Sequence, residues 1–401
     1  MSASALSLRE AVDTALKNNP SLQRTERAIE VAEANLRATR GGKGISISAS
    51  SGVNFSKTEG NNDSRTLSGQ ISARLNLYSG NRLESQIKSA ELDIETARLD
   101  FSKAQDDLIY NVATAYINAL ESLATAKVNL QTEENLSEHE VNIAQLYDAG
   151  AKAKIDLLRA QIETSNAGQD TARSYADYEV SLVRLATLMS VDSISDMTLE
   201  EISTALELVE LEEFLTLADE NRDDLKADAL NIEKGELSVE IARADKRPSV
   251  SASASTSFNA AHDSWHPTPS ASVGISAEWT IFDSGITKNR ILAAEVELER
   301  LRLLMENDYN SVREDVISAY KNLKIAVMRL RTTQRAIELA EEERYIETEK
   351  YRVGEGILLD VMDAEKNLAT AKKNHVSATY DVARYRVELA HAIGDTLSVI
   401  R

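Results

Sequence analysis

The side chains best placed to do chemistry are carboxylates near one end of a helix. Asp360 and Asp363 lie in Leu358-Leu-Asp-Val-Met-Asp363. A carboxylate in the first turn of a helix is favoured by the positive end of the helix dipole, which accounts for Asp360 without any function. Asp156 occupies the same kind of place earlier in the chain, but the residue three beyond it is Arg159. A purely structural role does not predict that reversal of charge, so Asp363 reads as functional. The histidines offer less: His262 and His266 lie four apart in a Pro-containing segment without a third ligand, while His139, His375 and His391 are scattered. No metal site is expected from that spacing. The chain has no cysteine, which removes thiolate zinc sites, thiol catalysis and disulfides. A net charge of −20 with no basic stripe argues against a nucleic-acid partner. Neither a phosphate-cradling loop nor a catalytic constellation is present, so no cofactor and no enzymatic activity are expected.

The elements that must position these residues follow from comparing the chain with itself. A shift of about 204 residues lays one half on the other. Ala115-Tyr116 then falls on Ala319-Tyr320, Tyr147 on Tyr351, Gly150 on Gly354, Asp156 on Asp360 and Ala160 on Ala364. Ser48-Ala-Ser50 meets Ser251-Ala-Ser253 with one residue of slip. Two tandem repeats are expected, 1–203 and 204–401, each opening with short helices. In the first, strands at about 44–56 and 68–78 precede long helices at about 81–147 and 153–190 and a crossover; in the second, strands at about 248–258 and 270–282 precede helices at about 286–351 and 358–394. The four prolines agree: Pro20 at a helix start, Pro248 at a helix-to-strand handover, Pro267 and Pro269 in a loop.

From Asn81 to Tyr147 and from Thr287 to Tyr351 no proline or glycine intervenes, so each stretch can form one helix of about 100 Å at ~1.5 Å per residue. Ala319, Leu323, Ala326, Leu330, Thr333, Ile337 and Ala340 form a heptad seam; Val316, Tyr320, Leu323, Val327 and Leu330 form a second beside it. Val112, Tyr116, Ala119, Leu123, Ala126 and Leu130 repeat the second seam in the first half. Two seams mean two packed neighbours. The strands alternate instead: Ile71, Ala73, Leu75 and Leu77 interleave with Ser72, Arg74 and Asn76, and Val273, Ile275, Ala277, Trp279 and Ile281 with Gly274, Ser276, Glu278 and Thr280.

One wet and one apolar face suits either a half-buried soluble sheet or a membrane barrel. In a bilayer only a closed barrel pairs every backbone group, and the smallest have ~8 strands, so four strands per chain would require oligomerisation. Tyr78, Phe258, Trp265, Trp279 and Phe282 lie near strand ends, where interfacial aromatics belong. No apolar run approaches the ~20 residues of a membrane-spanning helix. The start, Met1-Ser-Ala-Ser-Ala-Leu6, lacks the regions of a signal peptide, so an exported protein would be present here as a mature or engineered chain.

The stretch from Tyr351-Arg-Val-Gly354 through Leu359-Asp-Val-Met-Asp363-Ala resembles the helix-hairpin tip of the TolC family of outer-membrane efflux and secretion channels, with Tyr147-Asp-Ala-Gly150 through Ile155-Asp156 as a weaker counterpart. Leu77-Tyr-Ser-Gly80, Ile281-Phe-Asp-Ser-Gly285, and Leu8-Arg-Glu-Ala11 with Asn18-Asn-Pro20 resemble other junctions of the same family. The resemblance covers nearly the whole chain.

It implies a mainly α protein in which each protomer adds four strands to a barrel of ~12 strands in a homotrimer, above a long α-helical barrel crossing the periplasm. It further implies an exit duct in the outer-membrane lipid of a diderm bacterium. Such a duct passively conducts drugs, toxins or proteins from a periplasmic adaptor and an inner-membrane transporter, as in tripartite efflux or type I secretion. Asp360 and Asp363 correspond by resemblance to aperture carboxylates, Tyr351 and Asp156 to a closed-state linkage, and the tips Ala149, Gly150, Ala151 and Val353, Gly354, Glu355 to the adaptor-docking surface. Gly356 departs from the pattern, standing where a basic linking residue is expected, and charge alone suggests Arg159 with Asp363 as a replacement. A non-channel coiled-coil envelope tether is the rival reading; it explains the helices but not the matched strands.

Overall fold

A computed structural model describes residues 5–57, 64–202, 210–261 and 267–400. The chain begins with a two-residue strand β1 (Ala5–Leu6), short helices α1 (Leu8–Asn18) and α2 (Pro20–Gly41), and strands β2 (Ile45–Ser56) and β3 (Ser64–Tyr78). Helix α3 (Arg82–Asp148) then runs 67 residues and returns as α4 (Lys154–Met189). After β4 (Thr198–Leu199) the pattern repeats: α5 (Leu211–Asn221), α6 (Asp223–Ala244), β5 (Ser249–Ala261), β6 (Thr268–Glu278), the 68-residue α7 (Ile286–Val353), α8 (Leu358–Ala392) and a final turn α9 (Leu397–Ile400).

The two long helices start with mirrored caps. The Leu83 amide donates to Ser79 Oγ at 3.1 Å, and the Thr287 amide donates to Asp283 Oδ2 at 2.7 Å. Each bond satisfies one of the donors a helix N-terminus leaves open. Neither helix contains a proline or glycine, so nothing interrupts it.

The chain divides into two compact units, each drawing on both repeats. One comprises Thr25–Asp100 and Asp224–Asp308. Its sheet has the order β2-β3-β5-β6 with every pairing antiparallel, leaving β2 and β6 as edges. Register alternates the two faces cleanly. Ile47 pairs with Ala73, Ala73 with Ala254 and Ala254 with Val273, so these share the apolar face. Ser48 pairs with Ser72, Ser72 with Ser255 and Ser255 with Ser272, so these share the other, where hydroxyls bond across strands at 2.9 Å. The apolar face is uncovered within the chain: Ile47 and Ile275 are each 74% exposed.

Strand β6 ends at Glu278, short of the expected 282. Its partner β5 starts at Ser249, directly after Pro248, which has no amide to donate; Trp279 instead donates its indole N–H to the Lys246 carbonyl at 3.0 Å. Pro269 falls inside β6, which tolerates it as an edge strand. Trp265, His262 and His266 lie outside the described residues, as does the boundary expected near 203–204.

The other unit comprises Met1–Arg24, Phe101–Asp223 and Tyr309–Arg401. Its core gathers Val112, Tyr116, Ala119 and Leu120 of α3 with Leu185 and Met189 of α4, Val12 and Ala15 of α1 and Val387 of α8. On α7 the seam residues Val316, Ala319, Leu323 and Ala326 are buried. Small residues at these positions let helices approach closely. The Tyr116 hydroxyl is anchored in this core, reaching the Leu6 carbonyl at 2.7 Å and the Glu200 carbonyl at 2.9 Å, where β1 pairs with β4 in parallel.

Candidate functional site

The expected site residues gather where α3 turns into α4 and α7 into α8, within one compact unit. Both turns close the same way. Gly150 has φ 73° and Gly354 φ 85°. The Gly150 amide donates to the Tyr147 carbonyl at 2.8 Å and the Ala151 amide to the Leu146 carbonyl at 2.8 Å. In the second turn Gly354 donates to Tyr351 at 3.2 Å and Glu355 to Lys350 at 2.9 Å. This paired bonding around a left-handed glycine is a Schellman motif, which satisfies the last carbonyls of the preceding helix. Ala149, Gly150, Ala151, Val353, Gly354 and Glu355 are all exposed, so the tips are open to a partner.

Helices α4 and α8 then begin without side-chain caps, because Ala153 and Ile357 stand at the N-cap positions. Asp156 and Asp360 are the first-turn acids of these helices. Each places negative charge at the positive end of its helix, so each is accounted for by local electrostatics. Asp360 also lies close enough to Lys350 for its charge to help hold that ammonium's pKa up, behind the larger contribution of the Glu347 hydrogen bond.

One turn further along α8, Asp363 is exposed and lines a cleft of about 540 Å³ together with Arg159, Glu163, Asp170, Lys366 and Lys373. Arg159 and Asp363 thus share a cleft, but among the described residues no ion pair or hydrogen bond joins them. Tyr351 is not bonded to Asp156 either. Its ring packs against Ile143, Ala160 and Leu358 with the Lys152 ammonium 3.9 Å above it, and its hydroxyl is buried without a partner.

The most constrained group nearby is one the sequence reading passed over. Glu365 sits on the buried seam of α8, in step with Leu358, Val361 and Leu368, with its side chain only 3% exposed. Arg344 of α7 donates to it at 3.2 Å, Asn135 of α3 at 3.5 Å, and His139 Nε2 of α3 lies 3.7 Å away. Burial alone pushes a carboxyl pKa up, but here His139, Arg344 and Asn135 together outweigh it and hold Glu365 below its ordinary value. The available signal was a lone charge at an apolar heptad position, whose repeat counterpart, Gln161, is exposed. His139, given no role from sequence, acquires one here.

No group of three or more metal-ligating side chains able to hold an ion occurs among the described residues, and none of their helices is long and apolar enough to cross a membrane. The sheet is a separate matter, since its apolar face alternates along strands rather than filling a helix.

Comparison with known proteins bears on this arrangement as a whole. A family model described as "Outer membrane efflux protein" matches residues 11–191 and 214–395, one segment in each repeat. Outer membrane protein TolC of Escherichia coli is 24% identical over 334 residues, covering 78% of this chain and 65% of that protein, just under two thirds of its length. Outer membrane protein TolC of Vibrio cholerae is 23% identical over 414 residues, covering 98% of this chain and 92% of that protein. The crystal structure of the open state of the Neisseria gonorrhoeae MtrE outer membrane channel superposes with a TM-score of 0.80 at 20% identity, covering 97% of this chain and 89% of that one.

Proposed function

This chain belongs to the outer membrane efflux protein family, and from that premise we propose that it is an outer-membrane exit duct that passively conducts drugs, toxins or proteins out of the cell. The observation that carries this reading is the sheet. Its four strands have one apolar face left uncovered and one lined with serine hydroxyls, and both of its edges lack partners. Unpaired edges are intolerable in lipid, and three copies closing edge to edge make a barrel of ~12 strands with the hydroxyl face inward. A homotrimer also gives cover to apolar helix residues left exposed in one chain, among them Val183 at 66% and Met328 at 63%.

In this reading the tandem halves meet near 203–204 and the helices lie on the periplasmic side. The exposed tips, Ala149 to Ala151 and Val353 to Glu355, dock a periplasmic adaptor, and an inner-membrane transporter supplies the energy, as in a tripartite efflux pump or type I secretion system. No catalytic step is assigned to the chain. Asp360 and Asp363, three copies of each, form rings of negative charge that favour cations at the inner aperture. Tyr351, Asp156 and Arg159 lie beside that aperture and take part in its gating; the partnerless Tyr351 hydroxyl is the feature that supports a changing contact there.

Single-channel recording in planar bilayers tests the reading. The purified protein should form pores of small, cation-selective conductance, and the Asp360→Ala/Asp363→Ala variant should lose that selectivity. Pores with unchanged selectivity would remove the aperture assignment, and failure to conduct after insertion would remove the duct.

A further inference from the structure

We propose that Glu365 is a positioning residue that sets where α8, and with it the acidic pair Asp360 and Asp363, stands against α3 and α7. This rests on the duct reading above. A buried carboxylate with its partners is poor material for stability, because desolvation is costly and hydrophobic residues replacing the whole pair would often pack at least as well. What it supplies is register. Leu358, Val361 and Leu368, its companions on the seam, can slide along an apolar groove with little penalty, whereas Glu365 meets its donors at only one position.

Those donors come from two helices. Arg344, at 3.2 Å, ties Glu365 to α7 within its own hairpin. Asn135, at 3.5 Å, ties it to α3 in the other hairpin, where His139 Nε2 lies 3.7 Å from the carboxylate. Glu365 follows Asp363 by two residues and Asp360 by five on one continuous helix, so any slip of α8 relative to α3 moves both acids with it. Among the described residues nothing equivalent occurs in the first repeat, where the counterpart Gln161 is exposed on α4. The two repeats therefore differ in which hairpin is pinned, and the pinned one carries Asp363.

The test separates positioning from structural support. Glu365→Leu leaves Arg344 without its carboxylate and should lower trimer stability, and beyond that it should give pores whose conductance is severalfold larger or spread over several levels, with altered cation preference. His139→Phe, which keeps the ring shape and removes the donor, should shift conductance in the same direction. Glu365→Gln keeps an acceptor for Asn135 and Arg344 and should restore a single level close to wild type. If Glu365→Leu trimers melt at lower temperature but conduct as wild type does, the carboxylate is only structural and the proposal fails. Should Glu365→Leu not assemble, His139→Phe decides alone, and wild-type conductance in that variant overturns the proposal. A wild-type protein that inserts but never conducts would instead remove the duct reading, and this inference with it.

Discussion

The two helix-hairpin tips are built on one plan and differ in one respect. Each ends its first helix in a Schellman turn around a left-handed glycine, Gly150 or Gly354, and begins its second without a side-chain cap but with an aspartate in the first turn, Asp156 or Asp360. Past that turn the chemistry diverges. The α4 strip carries Arg159 and the exposed Gln161; the α8 strip carries Asp363 and the buried Glu365. Features that any tight reversal between helices requires are duplicated, while those that set charge and register on one side are not. Capping and dipole suffice to explain why both tips share these features, whatever further role they carry, whereas what only one tip has calls for another cause.

The largest expected effect comes from making the tips alike. Asp363→Arg gives α8 the charge found on α4, and in a trimer it replaces three negative groups with three positive ones. Reversal potentials across a salt gradient at low ionic strength should swing from cation towards anion preference, since exposed charges act over ~30 Å at 0.01 M salt but only ~8 Å at 0.15 M. The reciprocal Arg159→Asp adds negative charge to the cleft Asp363 lines and should deepen the existing cation preference, a smaller change because the sign of the preference stays the same. Comparable shifts from both variants would mean the tips contribute equally to selectivity, and the asymmetry would lose its meaning.

A second contrast lies deeper in the same compact unit, between Tyr116 and its repeat counterpart Tyr320. Tyr116 is fully buried and its hydroxyl serves the Leu6 and Glu200 carbonyls. Tyr320 is only partly buried and packs at a tilt on Phe214, with ring centroids 6.0 Å apart. Tyr116→Phe should cost about 1 kcal/mol, the worth of the hydroxyl's own bonds, since the Leu6 carbonyl still accepts the Glu200 amide at 3.1 Å, and Tyr320→Phe within about 0.5 kcal/mol. Burial, with help from the charges on Glu200, Glu201 and Glu10, raises the Tyr116 phenol to about 12. The folded state therefore holds the proton more tightly than the unfolded chain. Its contribution is complete below the ordinary phenol pKa of ~10 and is lost as pH rises from there through about 12. Melting of wild type should fall more steeply over that window than melting of Tyr116→Phe; parallel slopes would show that Tyr116 does not carry the alkaline loss.

How far the sequence could be read follows the same division. The tandem repeat, the uninterrupted helices and the alternating strands are legible because they depend on periodicity and on where proline and glycine fall, which are local properties. The end of β6 was less so: Trp279 and Ile281 continue the alternation, but pairing stops where Pro248 leaves β5 without a donor, and that is a property of the partner strand. Asp360 and Asp363 could be singled out from spacing, charge and family resemblance. Glu365 left only a faint mark, a lone charge at an apolar heptad position, because its significance lies in Arg344, Asn135 and His139, which reach it from other helices. The proposed link between Arg159 and Asp363 illustrates the converse: opposite charges inferred from sequence share a cleft without meeting.

The smallest expected effect tests whether the turns really are equivalent. At both Gly150 and Gly354 an added Cβ would meet nothing within 4 Å, so replacement costs only the left-handed backbone, about 1–2 kcal/mol for alanine. Gly150→Ala and Gly354→Ala should lower the melting temperature of the detergent-solubilised protein by the same amount, and asparagine at either position should recover part of it, since Asn enters this region more readily. An alanine penalty clearly larger at 354 would locate extra contacts at the second tip. A difference larger than the extra Gly356-to-Lys350 backbone bond of the second turn can explain would point to contacts between neighbouring copies at that tip, measurable as a dependence of the penalty on protein concentration.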